Sequence, residues 1–490
     1  MADEKQVPFG KDRKKSKGNS NCRFLRNGKR ENISMAMKIE RFEVEGLAQY
    51  SYVVSDEGEA VVVDAIRDVD RYVRYVEAQG LRIVAVVETH IHADFAAGSR
   101  ELGDRSGAEL ALSGYDRGER FEYAMAHRAL MDGDVVKVGR GRLVAMHTPG
   151  HTPEHLSFVL YEGTEPVAMF SGDFLFVGSL GRPDLLGEDA KVALAHAMYA
   201  SVRRMEGLPD GLRVYPGHGA GSFCGAGMGE SAETTLGFER VTNRFFGMDE
   251  AEFVWKILGS TPAMPGYYPR MKALNAVGAV AVSEVAAPGA MSAGEVAELR
   301  GVTLLDVRGV EAFAVGHVAG SVNIGAGGNL SLWAGWLLDA EREIVLVADE
   351  GDVGEVRVAL MRVGLDGMVG YLKGGMESWI VAGLPVARMR LVGVEDVRRE
   401  GAAAVVLDVR NDQEWESGSV PGARHVMLGD LPQAMAGMAK ESKVITMCGS
   451  GYRSSVAASL LERAGFVDVS SMDGGTAAWM QAGLELVREL

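Results

Sequence analysis

A chain of 490 residues, 47% hydrophobic and 24% charged, has the composition of a folded globular protein and the length of about three domains. Collagen, coiled coil and wholesale disorder are excluded, and no run of 18 apolar residues or apolar leader with a small-residue cleavage site is present, so a cytoplasmic protein with no membrane partner is expected. The net charge of −16 argues against nonspecific nucleic-acid binding, and Cys22, Cys224 and Cys448, odd in number and far apart, read as thiols rather than a disulfide framework.

Residues 1–36 are expected to be a disordered, solvated tail: ten Lys/Arg face four Asp/Glu within 1–34, and too few apolar side chains are present to offset the entropy of ordering. Met37 is the expected structural start. From residue 38, IERFEV, YSYVV and AVVVDA read as strands, the last with three successive β-branched residues as a buried strand would have. A helix is predicted over 68–79, with Val69, Tyr72, Val73 and Val76 at three- and four-residue steps, Asp68 as its cap and Gly80 at its end. The strand RIVAVVE then runs into THIHADF, and LVAMH, LSFVLYE and VAMFSGD each end near a His or Asp. Polar side chains at strand ends converge at one edge of a sheet while the strands stay dry. The Pro- and Gly-rich segment 263–282 reads as a linker.

Beyond residue 283 the sequence repeats. Leu305-Asp306-Val307-Arg308 matches Leu407-Asp408-Val409-Arg410 at an offset of 102, and Gly374, Gly375, Trp379 and Gly383 match Gly474, Gly475, Trp479 and Gly483 at an offset of 100. Units this long are domains rather than solenoid repeats, and their order of strand, turn, helix and strand is that of a small α/β fold.

His90, His92 and Asp94 in THIHAD, His151 in TPGHTPEH, Asp173 in FSGD and His218 in YPGHG make a set of imidazoles and carboxylates in Gly-flanked loops, suited to a first-row metal. Each His alone is more simply a surface or core residue; the ordered set is not. Two ligand sets are open from the residues: His90, His92 and His151 as a three-imidazole zinc site, or His90, His151 and Asp173 as a facial triad with open positions for ferrous iron and dioxygen. The set resembles the metallo-β-lactamase superfamily signature HxHxDH, except that Phe95 stands where a final His is frequent, which predicts a single metal ion. THIHADF, TPGHTPEH, SGDFLFVGSLGRPDL and YPGHGAGSFCG resemble its persulfide dioxygenase branch, similar in fold to glyoxalase II. That resemblance implies one Fe(2+) per chain on His90, His151 and Asp173, with His92, Asp94 and His218 orienting the ligands or holding water or substrate. Arg182 is read equally as a receptor for the carboxylate of a thiol cosubstrate or as a loop cap with Asp184. Cys224, six residues after His218, reads as a buried inert thiol or, less readily, as a sulfur acceptor.

In the second repeat an apolar strand, VITM, leads into Cys448-Gly449-Ser450-Gly451-Tyr452-Arg453 and then a helix. Backbone N–H groups at a helix N-terminus can form a nest for thiolate or persulfide, and that end of the helix together with Arg453 should lower the Cys448 pKa from about 8.5, making it a nucleophile. The loop resembles that of rhodaneses, whose active Cys opens a six-residue loop; Gly449, Ser450, Gly451 and Tyr452 are then expected to line the substrate. In the first repeat Ala348 replaces the Cys and Val353 the Arg, and three carboxylates follow, so this copy is expected to be an inactive scaffold; its His317 has no catalytic partner.

The resemblance implies an αββα metallo-β-lactamase sandwich at 37–262, a linker at 263–282, and two small α/β rhodanese domains, inactive at 283–387 and active at 388–490. It further implies oxidation of a low-molecular-weight persulfide, such as that of glutathione or coenzyme A, by O2 to sulfite and thiol, with thiosulfate made or used at Cys448; a homo-oligomer is expected. The alternatives are a zinc thioester hydrolase of glyoxalase II type fused to a rhodanese, and a noncatalytic sulfur carrier.

Overall fold

Strands Gln49–Asp56, Glu59–Val63 and Arg82–Val87 are buried on both faces, which their unbroken apolar runs require. In the computed structural model, which describes residues 37–488, alternate side chains of these strands serve two cores. Val53, Val62 and Val86 face the helices Asp70–Gln79 and Ser99–Ser106, while Tyr52, Val54, Val61 and Val63 meet Phe158, Leu160 and Phe170 of a second sheet. The first sheet has six strands in sequence order, and the second orders its six as Thr234–Thr235, Arg213–Pro216, Glu165–Gly172, Leu156–Glu162, Gly141–His147 and Val135–Val138. Met169 and Val214 on its outer face pack on the helices Glu188–Arg204 and Glu250–Leu258, completing an αββα sandwich. The tail at 1–36, with Cys22, lies outside the described residues.

The repeat becomes two five-stranded parallel sheets of the same strand order. Matched residues hold matched bonds. Arg308 pairs with Asp306 and donates to the Gly316 carbonyl at 2.9 Å, as Arg410 pairs with Asp408 and donates to that of Gly418 at 2.8 Å. The duplicated Asp-x-Arg is therefore a structural clamp of each copy. Among the described residues, no helix is long and apolar enough to cross a membrane.

Two expectations are corrected. The helix begins at Asp70, and Asp68, instead of capping it, makes a bidentate pair with Arg362 of the first repeat at 2.7 and 2.8 Å. The segment 263–282 is not a plain linker. It contains the helix Tyr268–Val277, with Pro269 in its first turn, and buries Tyr268, Met271, Lys272 and Asn275. Its apolar periodicity is broken by the buried Lys272 and Asn275, so the flanking Pro and Gly are its strongest local signal.

The first repeat is fastened to the sandwich. Arg67, buried, makes a bidentate pair with Asp366, Arg270 donates to the carbonyls of Val363 and Gly364, and the Ala96 N–H donates to the Arg362 carbonyl. Gly46 has no room for a side chain: a Cβ there would lie 1.1 Å from the carbonyl oxygen of Gly328.

Candidate metal centre and sulfur-transfer loop

The metal residues sit in the loops that follow the strands Arg82–Val87, Gly141–His147, Glu165–Gly172 and Arg213–Pro216. Asp64, ending Glu59–Val63 with a positive φ of 54°, organises the first loop. Its carboxylate accepts from the Thr89 N–H at 2.7 Å, the Thr89 hydroxyl at 2.9 Å and His92 Nε2 at 3.1 Å. Because the Thr89 hydroxyl proton goes to Asp64, its oxygen accepts from His90 Nδ1 at 2.9 Å, which leaves the lone pair of His90 on Nε2. His151 Nδ1 likewise donates to the Arg182 carbonyl at 2.9 Å. His90 Nε2, His151 Nε2 and Asp173 Oδ2 are all buried without a hydrogen-bond partner, and one ligand atom from each of the three residues lies within 4.8 Å of the others. Three buried orphan donors converging in this way fit a metal ion and are costly without one. The geometry brings together the two-His, one-carboxylate set; His92 stands outside that triad, its Nε2 committed to Asp64 and its buried Nδ1 unpartnered.

Charge is distributed to match. Burial, reinforced by His92 and His151, holds His90 well below the usual imidazole range. Burial also lowers His151, to about 4 against the pull of Asp173, so both imidazoles are neutral at pH 7, as metal ligation would require. His218 is the opposite case: burial opposes its charge, but Asp173 and Asp94, each 2.7 Å from one of its nitrogens, raise its pKa well above the ordinary value. Burial works against the Asp173 carboxylate too, yet the charge of His218 keeps it ionised. A second set, Asp94, His218 and Cys224, also brings its donor atoms within 4.8 Å. It is a poor metal site, because His218 is protonated with both nitrogens bonded and burial keeps the Cys224 thiol neutral. Phe95, fully buried, packs against His92 with ring centroids 4.3 Å apart and the rings tilted by 32°, and supplies no ligand.

Other supporting residues were not visible as such in the sequence. His155 Nε2 accepts from the Asp173 N–H at 3.1 Å while its Nδ1 donates to the Thr148 hydroxyl at 2.9 Å. From the helix Tyr268–Val277, Lys272 donates to the Ile91 carbonyl at 2.6 Å and Asn275 to those of His92 and Phe95 at 2.8 and 2.7 Å. Glu154, 3.7 Å from the Lys272 ammonium, accepts from the Ile91 N–H at 3.0 Å. The apolar AVVVDA run ending in Asp64 and the second His of TPGHTPEH were the available signals; nothing local marked Lys272 or Asn275.

Of the two readings of Arg182, the structure supports the loop clamp with Asp184 over the substrate receptor. Only 2% exposed, it binds Asp184 bidentately at 2.7 and 2.8 Å and the carbonyls of Phe223 and Ala263, leaving no face for a ligand. Cys224 is fully buried, its sulfur 4.0 Å from the Tyr268 hydroxyl.

Cys448 follows the strand Lys443–Met447, and the helix Tyr452–Arg463 starts four residues later. Gly451, at φ 110°, turns its N–H onto Cys448 Sγ at 3.2 Å, one donor of the expected nest. Gly475 is obligatory against this loop, since a Cβ there would lie 2.1 Å from the Cys448 carbonyl oxygen. Ser450 is exposed at the loop tip and Gly449 half-buried. Tyr452 turns away from the loop to donate to the Gly325 carbonyl of the first repeat at 3.0 Å, and Arg453 makes a bidentate pair with Glu414 at 2.6 and 2.7 Å. The Tyr452 hydroxyl is thus claimed outside the loop it was expected to line, whereas Arg453, held by Glu414, keeps its guanidinium against Gly449 and within electrostatic reach of Cys448. In the first repeat Ala348 is buried at the matching position, and His317 stacks on Phe313 at 3.8 Å.

Comparison with known proteins places these parts. The metallo-beta-lactamase superfamily pattern matches residues 44–218 and the rhodanese-like domain matches 292–382 and 395–482. A metallo-beta-lactamase structure from Staphylococcus aureus is 35% identical, covering 69% of this chain and 99% of that one with a TM-score of 0.63. The human mitochondrial persulfide dioxygenase ETHE1 is 30% identical over 215 residues, 43% of this chain and 76% of that protein. A hydroxyacylglutathione hydrolase of Francisella philomiragia is 31% identical over 183 residues, 37% of this chain and 68% of that enzyme. The metal-site sandwich and the duplicated sheets behind it, with their paired clamps, thus have one reading: the chain belongs to the metallo-beta-lactamase superfamily and carries two rhodanese-like domains.

Proposed function

We propose that this protein oxidises a low-molecular-weight persulfide with O2, at one ferrous ion held by His90, His151 and Asp173, and moves sulfane sulfur through Cys448. The observation that carries the reading is the set of three buried, unpartnered donors from two imidazoles and one carboxylate, with His92 turned to Asp64. This arrangement favours a facial triad over a three-imidazole zinc site. Similarity to a persulfide dioxygenase supports the same choice. Iron in this set would supply the one-electron chemistry that ground-state O2 requires.

The chain's own residues do the rest. Thr89 and the Arg182 carbonyl fix the imidazole tautomers, and the His218 imidazolium keeps the Asp173 carboxylate ionised and oriented. Asp94 holds the other nitrogen of His218, so this proton stays within the site. The balanced reaction takes R–S–SH, O2 and water to R–SH, sulfite and two protons. At the second site the Cys448 thiolate attacks the outer sulfur of R–S–SH, forming a Cys448 persulfide and releasing R–S⁻. Sulfite then takes that sulfur to give thiosulfate and restores the thiolate, and the same steps run in reverse.

Metal analysis of the purified protein, with oxygen uptake on adding glutathione persulfide or coenzyme A persulfide, tests the proposal. Iron near one per chain and uptake that vanishes in Asp173→Ala but survives Cys448→Ser is the expected result. Uptake in Asp173→Ala, or bound zinc with thioester hydrolysis and no oxygen consumption, would overturn it in favour of the hydrolase.

A further inference from the structure

A narrow crevice reaches Asp94 of the metal centre between Leu47, Phe223 and Tyr267 on the sandwich and Leu332 on the first rhodanese-like copy. Its fourth wall therefore belongs to another domain. Leu332 lies on the helix Leu330–Leu337, whose position is over-determined. Gly328, just before it, abuts Gly46 so closely that a Cβ on Gly46 would collide with its carbonyl. Trp336, one turn on from Leu332, meets Phe223 edge-on with ring centroids 5.0 Å apart. On its far side Trp336 presses on Gly429 of the second copy, where a Cβ would come within 2.2 Å of the indole. Tyr267 completes the opening and donates to the Asp94 carbonyl at 3.0 Å. The crevice encloses about 10 Å3, space for one water-sized group.

We propose that Leu332 is a specificity-determining residue of the metal site, so that the copy lacking the transfer cysteine selects substrate for its neighbour. The inference rests on the reading of the metal centre given above and deepens it. The terminal –SH of a thin, unbranched persulfide enters past Leu332, while the body of the thiol stays outside against the helix Leu330–Leu337. Bulk next to the persulfide sulfur is rejected by this wall.

The test reads access separately from turnover. In a Cys22→Ser/Cys448→Ser background Cys224 is the one remaining thiol, and its sulfur lies within 4.8 Å of a ligand atom of Asp94, where the crevice ends. Its labelling by methyl methanethiosulfonate and by the bulky 5,5′-dithiobis(2-nitrobenzoate) is followed by mass spectrometry. Leu332→Ala is expected to speed the bulky reagent about tenfold relative to the small one, and Leu332→Trp to slow both. In the otherwise native protein, Leu332→Ala should lower KM for the branched tert-butyl persulfide relative to ethyl persulfide about tenfold, with little change in kcat. A reagent ratio unchanged by both substitutions, or a Cys224 that neither reagent labels even in Leu332→Ala, overturns the inference even if oxygen uptake is normal. A ratio that shifts as expected in a protein that takes up no oxygen leaves Leu332 as the wall and overturns the dioxygenase reading instead.

Discussion

Replacing Lys272 by methionine probes the support of the metal loop. Lys272 is 2% exposed, and its ammonium donates to the Ile91 carbonyl at 2.6 Å while standing 3.7 Å from Glu154, which accepts from the N–H of the same Ile91. The pair therefore holds both polar groups of the residue between His90 and His92. Burial lowers the Lys272 pKa, and Glu154 partly restores it, so the two charges depend on each other. Methionine keeps the volume but leaves Glu154 unpaired in the interior, a change that costs about 3–5 kcal/mol. Taking about 3 kcal/mol, the melting temperature of the metal-free protein should fall by roughly 6–12 °C in calorimetry. Glu154→Gln alone should cost less, and the double substitution should cost about 2 kcal/mol less than the sum of the two, because neither charge is then stranded. Metal affinity should fall at least tenfold as the His90 loop loosens. Additive single effects, or a Lys272→Met protein melting within 2 °C of the native one, would refute this account of the pair.

Asn275→Ala removes three bonds to the same loop, to the carbonyls of His92 and Phe95 and from the Ala97 N–H; a loss of about 3 kcal/mol and weaker metal retention against a chelator are expected. Gly46→Ala forces the sandwich away from Gly328, so hydrogen exchange across the helix Leu330–Leu337 should rise while that of the strand Lys443–Met447 stays unchanged. At the transfer loop, burial raises the Glu414 pKa but Arg453 outweighs it, so the folded value lies below the unfolded one. The stabilisation is then complete above the unfolded value of about 4.3 and is lost as pH falls through the folded value. With both side chains partly exposed it amounts to no more than about 1 kcal/mol. The gap in melting temperature between native protein and Glu414→Gln should be constant from pH 7 to about 5 and close below it; a gap that widens in acid would reverse the sign.

The metal residues were legible in sequence because each closes an apolar strand, and strand ends of one sandwich share an edge: His90, His151 and Asp173 needed no long-range information to be grouped. The six-residue loop at Cys448 and the duplication were legible for a similar reason, since strand, loop and helix are contiguous and the matched Asp-x-Arg clamps are local. The chain alone left His92 and Asp173 both open as the third ligand, because which polar atoms stay buried and unpartnered depends on partners such as Asp64, distant from His92 in the chain.

What the sequence determined, then, is whatever neighbours in the chain specify: strand ends, the transfer loop, the loss of the cysteine at Ala348, and the two sheets. Tertiary structure decided the partners of buried polar groups. Arg182 went to Asp184 and two carbonyls rather than to a substrate, Arg453 to Glu414, and Tyr452 to Gly325. Lys272 and Asn275, on a segment that read as a linker, became supports of the metal loop. A buried donor must find an acceptor wherever the fold brings one, and that meeting of residues far apart in the chain leaves no local pattern to read.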